Sequence, residues 1–92
     1  MAMGVLLLVS LQVKDYAAWK ARYESNRPMR EAAGIVEKFV GRDFKKGTVA
    51  HLGLLAPSME VVDRFLATPQ LLDVMASAGV ADVPEIRFVL VD

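Results

Sequence analysis

The sequence predicts an α+β protein of the ferredoxin-like class, a four-stranded antiparallel sheet in the order βαββαβ with two helices on one face. Two observations indicate this fold. The chain contains four strand segments and two helical segments in the order βαββαβ. Both faces of the first strand are also apolar, although two helices can cover only one face of the sheet. We therefore expect the uncovered faces of two copies to pack together in a homodimer.

Length and composition limit the classes of function. We expect the 92 residues to form one domain, residues 1–92. No apolar run in the sequence approaches the roughly 20 residues that a membrane-spanning helix needs. The 11 basic and 11 acidic residues cancel, which argues against a nucleic-acid or membrane partner. With no cysteine and one histidine the chain cannot build an ordinary zinc site. We expect a cytoplasmic protein without metal or cofactor.

The first strand is predicted over residues 3–11, and its side chains alternate between two faces. One face carries Met3, Val5, Leu7, Val9 and Leu11, and the other carries Gly4, Leu6 and Leu8.

The first helix is predicted over Tyr16–Ala33, with Asp15 as its N-cap. Pro28 removes a backbone donor inside this segment, so the helix should kink or restart near Asn26–Arg27. Gly34 then fits the position after a helix end, where a left-handed backbone conformation is common.

A β-hairpin is predicted next, with strands over Ile35–Arg42 and Thr48–Ala56 and a turn through Asp43–Gly47. Gly47 is expected to adopt a positive φ in this turn.

The second helix is predicted to start after Ser58, which acts as its N-cap. We predict that this helix breaks and restarts at Thr68-Pro69. Pro84 then precedes the last strand, predicted over Glu85–Val91, which suits an edge position in the sheet. The inner face of this helix is expected to carry Met59, Val62, Phe65 and Leu66.

Several short segments carry a resemblance to a known superfamily. They are Val13-Lys14-Asp15-Tyr16 with Trp19-Lys20 and Tyr23, Pro28-Met29-Arg30 with Ala33-Gly34-Ile35, Phe65-Leu66-Ala67-Thr68-Pro69, and Pro84-Glu85-Ile86 with Phe88. With these segments the chain resembles the dimeric α/β-barrel superfamily, which includes antibiotic-biosynthesis monooxygenase-like and polyketide cyclase-like proteins. The resemblance implies a ferredoxin-like fold that dimerises through its sheets into an α/β barrel. Asn26 departs from the pattern, because relatives often carry a histidine there.

One stripe of the first helix is a candidate ligand site. Tyr16, Trp19, Tyr23, Asn26 and Arg30 are spaced by 3, 4, 3 and 4 residues and so lie on one side of a helix. Three aromatic rings followed by an amide and a guanidinium suit a pocket for a flat, oxygenated molecule. The alternative is that the rings are ordinary core and the polar groups face water.

His51 is the candidate catalytic residue. It shares a strand face with Val49, Gly53 and Leu55, and Gly53 is expected to leave space beside it. An imidazole in an apolar cavity could act as a general base towards an activated carbon. The alternative is a histidine that is hydrogen-bonded within the core or the dimer interface.

Two hypotheses about function remain open at this point. In the first, the chain is a cofactor-independent cyclase or monooxygenase that acts on an aromatic or polyketide-like small molecule. In the second, it is a non-catalytic dimer that binds a small apolar or aromatic ligand or serves a structural role. The sequence does not decide whether the protein is an enzyme.

Overall fold

A computed structural model describes residues 4–68 and 84–91. Its strands are β1 (Gly4–Gln12), β2 (Val36–Arg42), β3 (Val49–Ala56) and β4 (Glu85–Val91). The described helices are α1 (Tyr16–Ser25), α2 (Arg27–Ala32) and α3 (Met59–Leu66). The strands form one sheet in the order β2-β3-β1-β4, and all three neighbouring pairs are antiparallel. This order confirms the predicted ferredoxin-like fold.

Capping side chains fix the start of α1 and of α3. The backbone N–H of Ala18 donates to the Asp15 carboxylate at 3.0 Å, and the N–H of Val61 donates to Ser58 Oγ at 3.2 Å. Each bond satisfies a backbone donor that has no partner within its own helix. Both predicted N-caps are confirmed.

The predicted break in the first helix lies at Asn26, between α1 and α2, with Pro28 in the first turn of α2. The chain leaves α2 through Gly34, whose φ is +78°. The N–H of Ile35 donates to Arg30 O at 2.9 Å and that of Gly34 to Glu31 O at 2.9 Å. This pair of bonds is a Schellman motif, which satisfies the last helical carbonyl groups.

The two faces of the sheet differ in what covers them. On the helix-covered face, alternate residues of β1 are buried: Val5, Leu7, Val9 and Leu11. They form one core with Trp19 and Tyr23 of α1 and with Val62 and Phe65 of α3. The other face, which we call the open face, carries Leu6, Leu8 and Ser10, which are half-buried. The predicted alternation along β1 is therefore confirmed.

Three local predictions are wrong. Met59 does not lie on the inner face of α3, because it is 41% exposed. Gly47 does not adopt a positive φ. The turn is held by the Asp43 carboxylate, which accepts the backbone N–H groups of Lys45 and Lys46. Gly53 leaves no space beside His51, because the Phe39 ring lies where a Cβ atom of residue 53 would be.

Part of the second helix prediction falls outside the described residues. This is the restart predicted at Thr68-Pro69, which continues into residues 69–83. No helix within residues 4–68 and 84–91 is long and apolar enough to span a membrane.

Candidate functional site

A cavity of about 110 Å³ lies between the helix-covered face of the sheet and the helices. Its walls are mostly apolar and come from β1, β3, α3 and the start of β4. Four of the described lining residues carry polar side-chain atoms, and they come from α1, from α2 and from Asn26 between the two helices: Trp19, Tyr23, Asn26 and Arg30. The polar groups of the cavity are thus supplied by the candidate stripe.

The aromatic part of the stripe is a stacked column. The Trp19 and Tyr23 rings lie 5.2 Å apart at an interplanar angle of 22°, and both side chains are buried. Tyr16 lies 5.7 Å from the Trp19 ring but does not line the cavity. Its ring faces the Arg42 guanidinium at 5.4 Å instead. Four of the five predicted stripe residues therefore border the cavity.

Arg30 is the buried charge of this site, with only 5% of its surface exposed. Its guanidinium lies 3.7 Å above the centre of the Tyr23 ring, and its Nη1 donates to the backbone carbonyl of Tyr23 at 2.7 Å. The second terminal nitrogen, Nη2, is buried without a hydrogen-bond partner among the described residues. An unpaired buried donor on a charged group is costly, because the group has lost its hydration.

Two further polar atoms near Arg30 are buried without partners in the described part of the chain, the Tyr23 hydroxyl and Glu37 Oε1. Burial raises the pKa of Tyr23, and the neighbouring Glu37 carboxylate raises it further, while the positive charge of Arg30 opposes this shift. Tyr23 is therefore a neutral phenol at physiological pH. The phenol and the carboxylate are near enough to influence each other but do not meet normal hydrogen-bond geometry.

Asn26 is the C-cap of α1. Its Nδ2 donates to Arg22 O at 2.7 Å, and its backbone N–H donates to Tyr23 O at 3.2 Å. Both bonds satisfy carbonyl groups at the C-terminal end of α1. The side chain borders the cavity while it closes the helix.

His51 does not lie with the stripe. Pairing of β3 with β1 places it opposite Ser10 on the open face, so the sheet separates it from the cavity. His51 and the aromatic stripe therefore do not share one pocket, since strand alternation directs His51 away from the helices. Its catalytic role stays a prediction.

His51 belongs to a chain of hydrogen bonds on the open face. Its Nδ1 lies 2.9 Å from Ser10 Oγ, and its Nε2 lies 2.8 Å from Asp43 Oδ1. The bond from His51 and the two backbone N–H groups of Lys46 and Lys45 lower the pKa of Asp43 to about 2. We call Ser10, His51 and Asp43 the open-face relay.

Sequence reasoning missed Ser10, Asp43 and Glu37. Ser10 and His51 are 41 residues apart, and only the register of β1 against β3 brings them together. Glu37 lies beside an irregularity in the pairing of β2 with β3, between Glu37 and Phe39. Simple alternation along β2 does not predict such a shift, because one extra residue exchanges the faces. In the residues that the structure describes, no cluster of three or more histidine or acidic side chains is arranged to hold a metal ion.

Solved structures with the same fold cover nearly the whole chain. A "putative antibiotic biosynthesis monooxygenase" from Bordetella bronchiseptica is 15% identical with a TM-score of 0.80, and the alignment covers 97% of this chain and 96% of that one. A protein of the same printed name from Caulobacter crescentus CB15 is 16% identical with a TM-score of 0.77, covering 96% and 89%. A conserved protein from Methanosarcina mazei Go1 is 12% identical with a TM-score of 0.71, covering 96% and 92%.

The fold is shared. The fold implied by the predicted resemblance to the dimeric α/β-barrel superfamily is confirmed. Identities of 12–16% show the shared fold alone. No family model and no curated protein matches the sequence.

Proposed function

We propose that this chain binds a planar, largely apolar small molecule of the aromatic or polyketide-like type in the cavity beneath α1 and α2. The observation that carries this proposal is that Arg30, a buried charge whose Nη2 has no partner in the described residues, lines an apolar cavity. A ligand oxygen placed there would satisfy the donor. Hydrogen bonds to charged groups contribute about 1.5–3 kcal/mol, so such a ligand gains affinity from this one contact.

The surroundings of Arg30 define the ligand class. The stacked Trp19 and Tyr23 rings suit a flat ring system, and the Tyr23 phenol can donate a second hydrogen bond to an oxygen atom. The ligand would therefore be a ring compound bearing a carbonyl or phenolate oxygen. The cavity of about 110 Å³ is near the size that holds a single aromatic ring, so a larger ligand would insert one end.

Catalysis is the second candidate function, favoured by the names of the structural neighbours. In this proposal the chain carries out cofactor-independent oxygenation or cyclisation, and Arg30 with Tyr23 stabilises the oxygen anion that forms on the ligand. The position of His51 outside the cavity favours binding over turnover, since no histidine among the described residues borders the ligand.

A homodimer formed through the open face is part of the proposal. Several large apolar side chains of this face are 37–54% exposed in the single chain: Val36, Phe39, Val89 and Val91. With Leu6, Leu8 and Leu55 they make a continuous apolar surface on all four strands. A second copy provides a surface of the same chemistry, because a two-fold interface uses the same patch on both subunits.

Trp19 fluorescence tests the ligand site directly. We expect saturable quenching by 1-naphthol and by anthrone-like ketones, and weaker binding of naphthalene, which lacks the oxygen. In Arg30→Lys the naphthol affinity should fall about tenfold while that of naphthalene is unchanged.

Arg27→Lys is the matched control, because Arg27 lies on the same helix but is exposed and pairs with Glu24. Circular dichroism of Arg30→Lys establishes that the variant is folded. Equal quenching by naphthalene and naphthol in the wild type, or no saturable quenching by either, would contradict the proposal.

A further inference from the structure

We propose that α2 is a hinged lid over the cavity, and that a ligand reaches Arg30 only when this short helix swings outwards. The inference rests on the ligand site proposed above and concerns how that site is entered. It is compatible with the homodimer, because α2 supplies Met29 and Arg30 to the cavity on the helix-covered side, whereas the second copy covers the open face.

The polar atoms that a ligand would bind are closed off when α2 is in place. Arg30 Nη2 and the Tyr23 hydroxyl have almost no surface that water can reach, although both side chains line the cavity. A hydrogen bond requires donor and acceptor atoms to approach within about 2.7–3.2 Å. A ligand oxygen therefore reaches these two atoms only after the part of the chain that covers them has moved.

Of the three described helices, α2 is the one that packs least tightly. Arg30 is its buried residue, and Met29 is half-buried, whereas α1 and α3 each bury two large side chains. Moving α2 outwards thus exposes less apolar surface than moving either neighbour would. A helix of six residues also has little stability of its own, because nucleation is costly and few backbone bonds follow it.

The backbone can turn at both ends of α2. Asn26 has φ −98° and ψ 11°, which are not helical values, and no side chain caps the start of α2. Pro28 has no N–H to donate back towards α1. At the other end Gly34, with φ +78°, lies between α2 and Ile35, which is buried in the core. Glycine rotates with little steric cost, so changes at Asn26 and Gly34 move α2 as a unit.

The lid carries the charge that the proposed ligand would contact. Arg30 Nη1 donates to Tyr23 O at 2.7 Å, and the N–H of Ile35 donates to Arg30 O at 2.9 Å. These two bonds hold α2 in the closed position. Opening breaks them and uncovers Nη2, and closing over a bound oxygen buries the new contact. Ligand binding and the position of α2 are therefore coupled.

A disulfide across the break at Asn26 tests the lid, because the chain has no cysteine of its own. Glu24 and Arg27 meet there in an exposed ion pair, so Glu24→Cys with Arg27→Cys places two thiols within reach of each other. The rate at which 1-naphthol quenches Trp19 is measured by stopped flow. We expect association at least about tenfold slower in the oxidised variant than after reduction with dithiothreitol, since only the open state admits the ligand.

Ala18→Cys with Ala21→Cys is the matched control. Both residues are exposed on α1 and have the same spacing, but their disulfide does not cross the break. Its oxidation should leave the association rate unchanged, and circular dichroism establishes that both variants are folded. The loss of the ion pair itself should matter little, because exposed ion pairs contribute little to stability.

Hydrogen exchange of the ligand-free chain tests the lid without reference to a ligand. The backbone N–H of Ile35 should exchange at least about tenfold faster than those of β1, and oxidation of the disulfide across Asn26 should slow it.

The two experiments separate failure of the lid from failure of the ligand site. Equal association rates in the oxidised and reduced forms would overturn the lid and leave the site, because movement of the Arg30 side chain alone would then admit the ligand. A wild type that binds no ligand would overturn the proposed function, and exchange at Ile35 as slow as in β1 would overturn the lid.

Discussion

Arg30 and His51 lie on opposite faces of one sheet, and each has its own set of polar contacts. Arg30 is held by stacking on Tyr23 and by one hydrogen bond to the backbone, and its Nη2 has no partner among residues 4–68 and 84–91. His51 has both ring nitrogens engaged by Ser10 and Asp43. The first arrangement suits recognition of an oxygen atom, and the second suits proton transfer.

The low pKa of Asp43 predicts a pH-dependent stability. The carboxyl has a pKa of about 2 in the folded chain against 3.8 unperturbed, so its bonds stabilise the fold fully above about pH 4 and are lost as the pH falls through 2. Asp43→Asn should therefore be less stable than the wild type near neutral pH, and the difference should disappear near pH 2. Urea unfolding midpoints at several pH values measure this. A difference that stays constant down to pH 2 would contradict the prediction.

At the scale of elements, local signals fixed the boundaries of helices and of the break between them. Asp15 and Ser58 stabilise helix starts through bonds that depend only on neighbouring residues, and Gly34 ends α2 with a backbone that other residues adopt at a cost. The hairpin turn was less predictable. It depends on the Asp43 side chain, which also belongs to the relay, rather than on the conformational freedom of Gly47.

Gly34→Ala should destabilise the chain by about 1–2 kcal/mol, because a left-handed conformation brings Cβ close to the backbone. There is space for the methyl group itself, since its nearest neighbour would be Pro57 Cγ at 3.6 Å. Thermal or urea unfolding measures the loss. Gly47→Ala is the control, because Gly47 has no positive φ and no atom within 4 Å of its Cβ position. Equal stability of the two variants would show that the backbone at Gly34 costs nothing.

At the scale of the whole molecule, one face of the sheet carries the core and the other is apolar without a cover in the described chain. Residues of odd number in β1 pack under the helices, and those of even number face outwards. The sequence alone does not decide whether a charged substitution at Leu6 or Leu8 would disrupt the core or the dimer. The structure makes that assignment, because both leucines lie on the open face.

We expect the wild type to be a dimer at micromolar concentration, with an interface of about 2,000 Å² or more. Leu8→Glu should give a folded monomer, since a buried, unpaired carboxylate is not tolerated in an apolar interface. Leu7→Glu should instead unfold the chain, because Leu7 is 1% exposed in the core. Light scattering with circular dichroism separates the two effects, and Ala17→Glu on the exposed side of α1 is the control. A monomeric wild type would exclude the dimer.

The sequence by itself determined the order of elements, the capped helix starts, the break at Asn26 and the two faces of β1. These features depend on neighbours within a few residues, where periodicity and backbone chemistry act directly. It also indicated the stripe from Tyr16 to Arg30, since helical spacing places those side chains on one side, although Tyr16 does not line the cavity.

Only the tertiary structure decided which polar groups meet. Strand register, set by the packing of whole faces, brought Ser10 to His51 across 41 residues and placed the sheet between His51 and Arg30. The register shift in β2 places Phe39 opposite Gly53, and its ring occupies the space that we expected beside His51. Contacts between distant segments depend on register and on bulges, and a shift of one residue exchanges the faces.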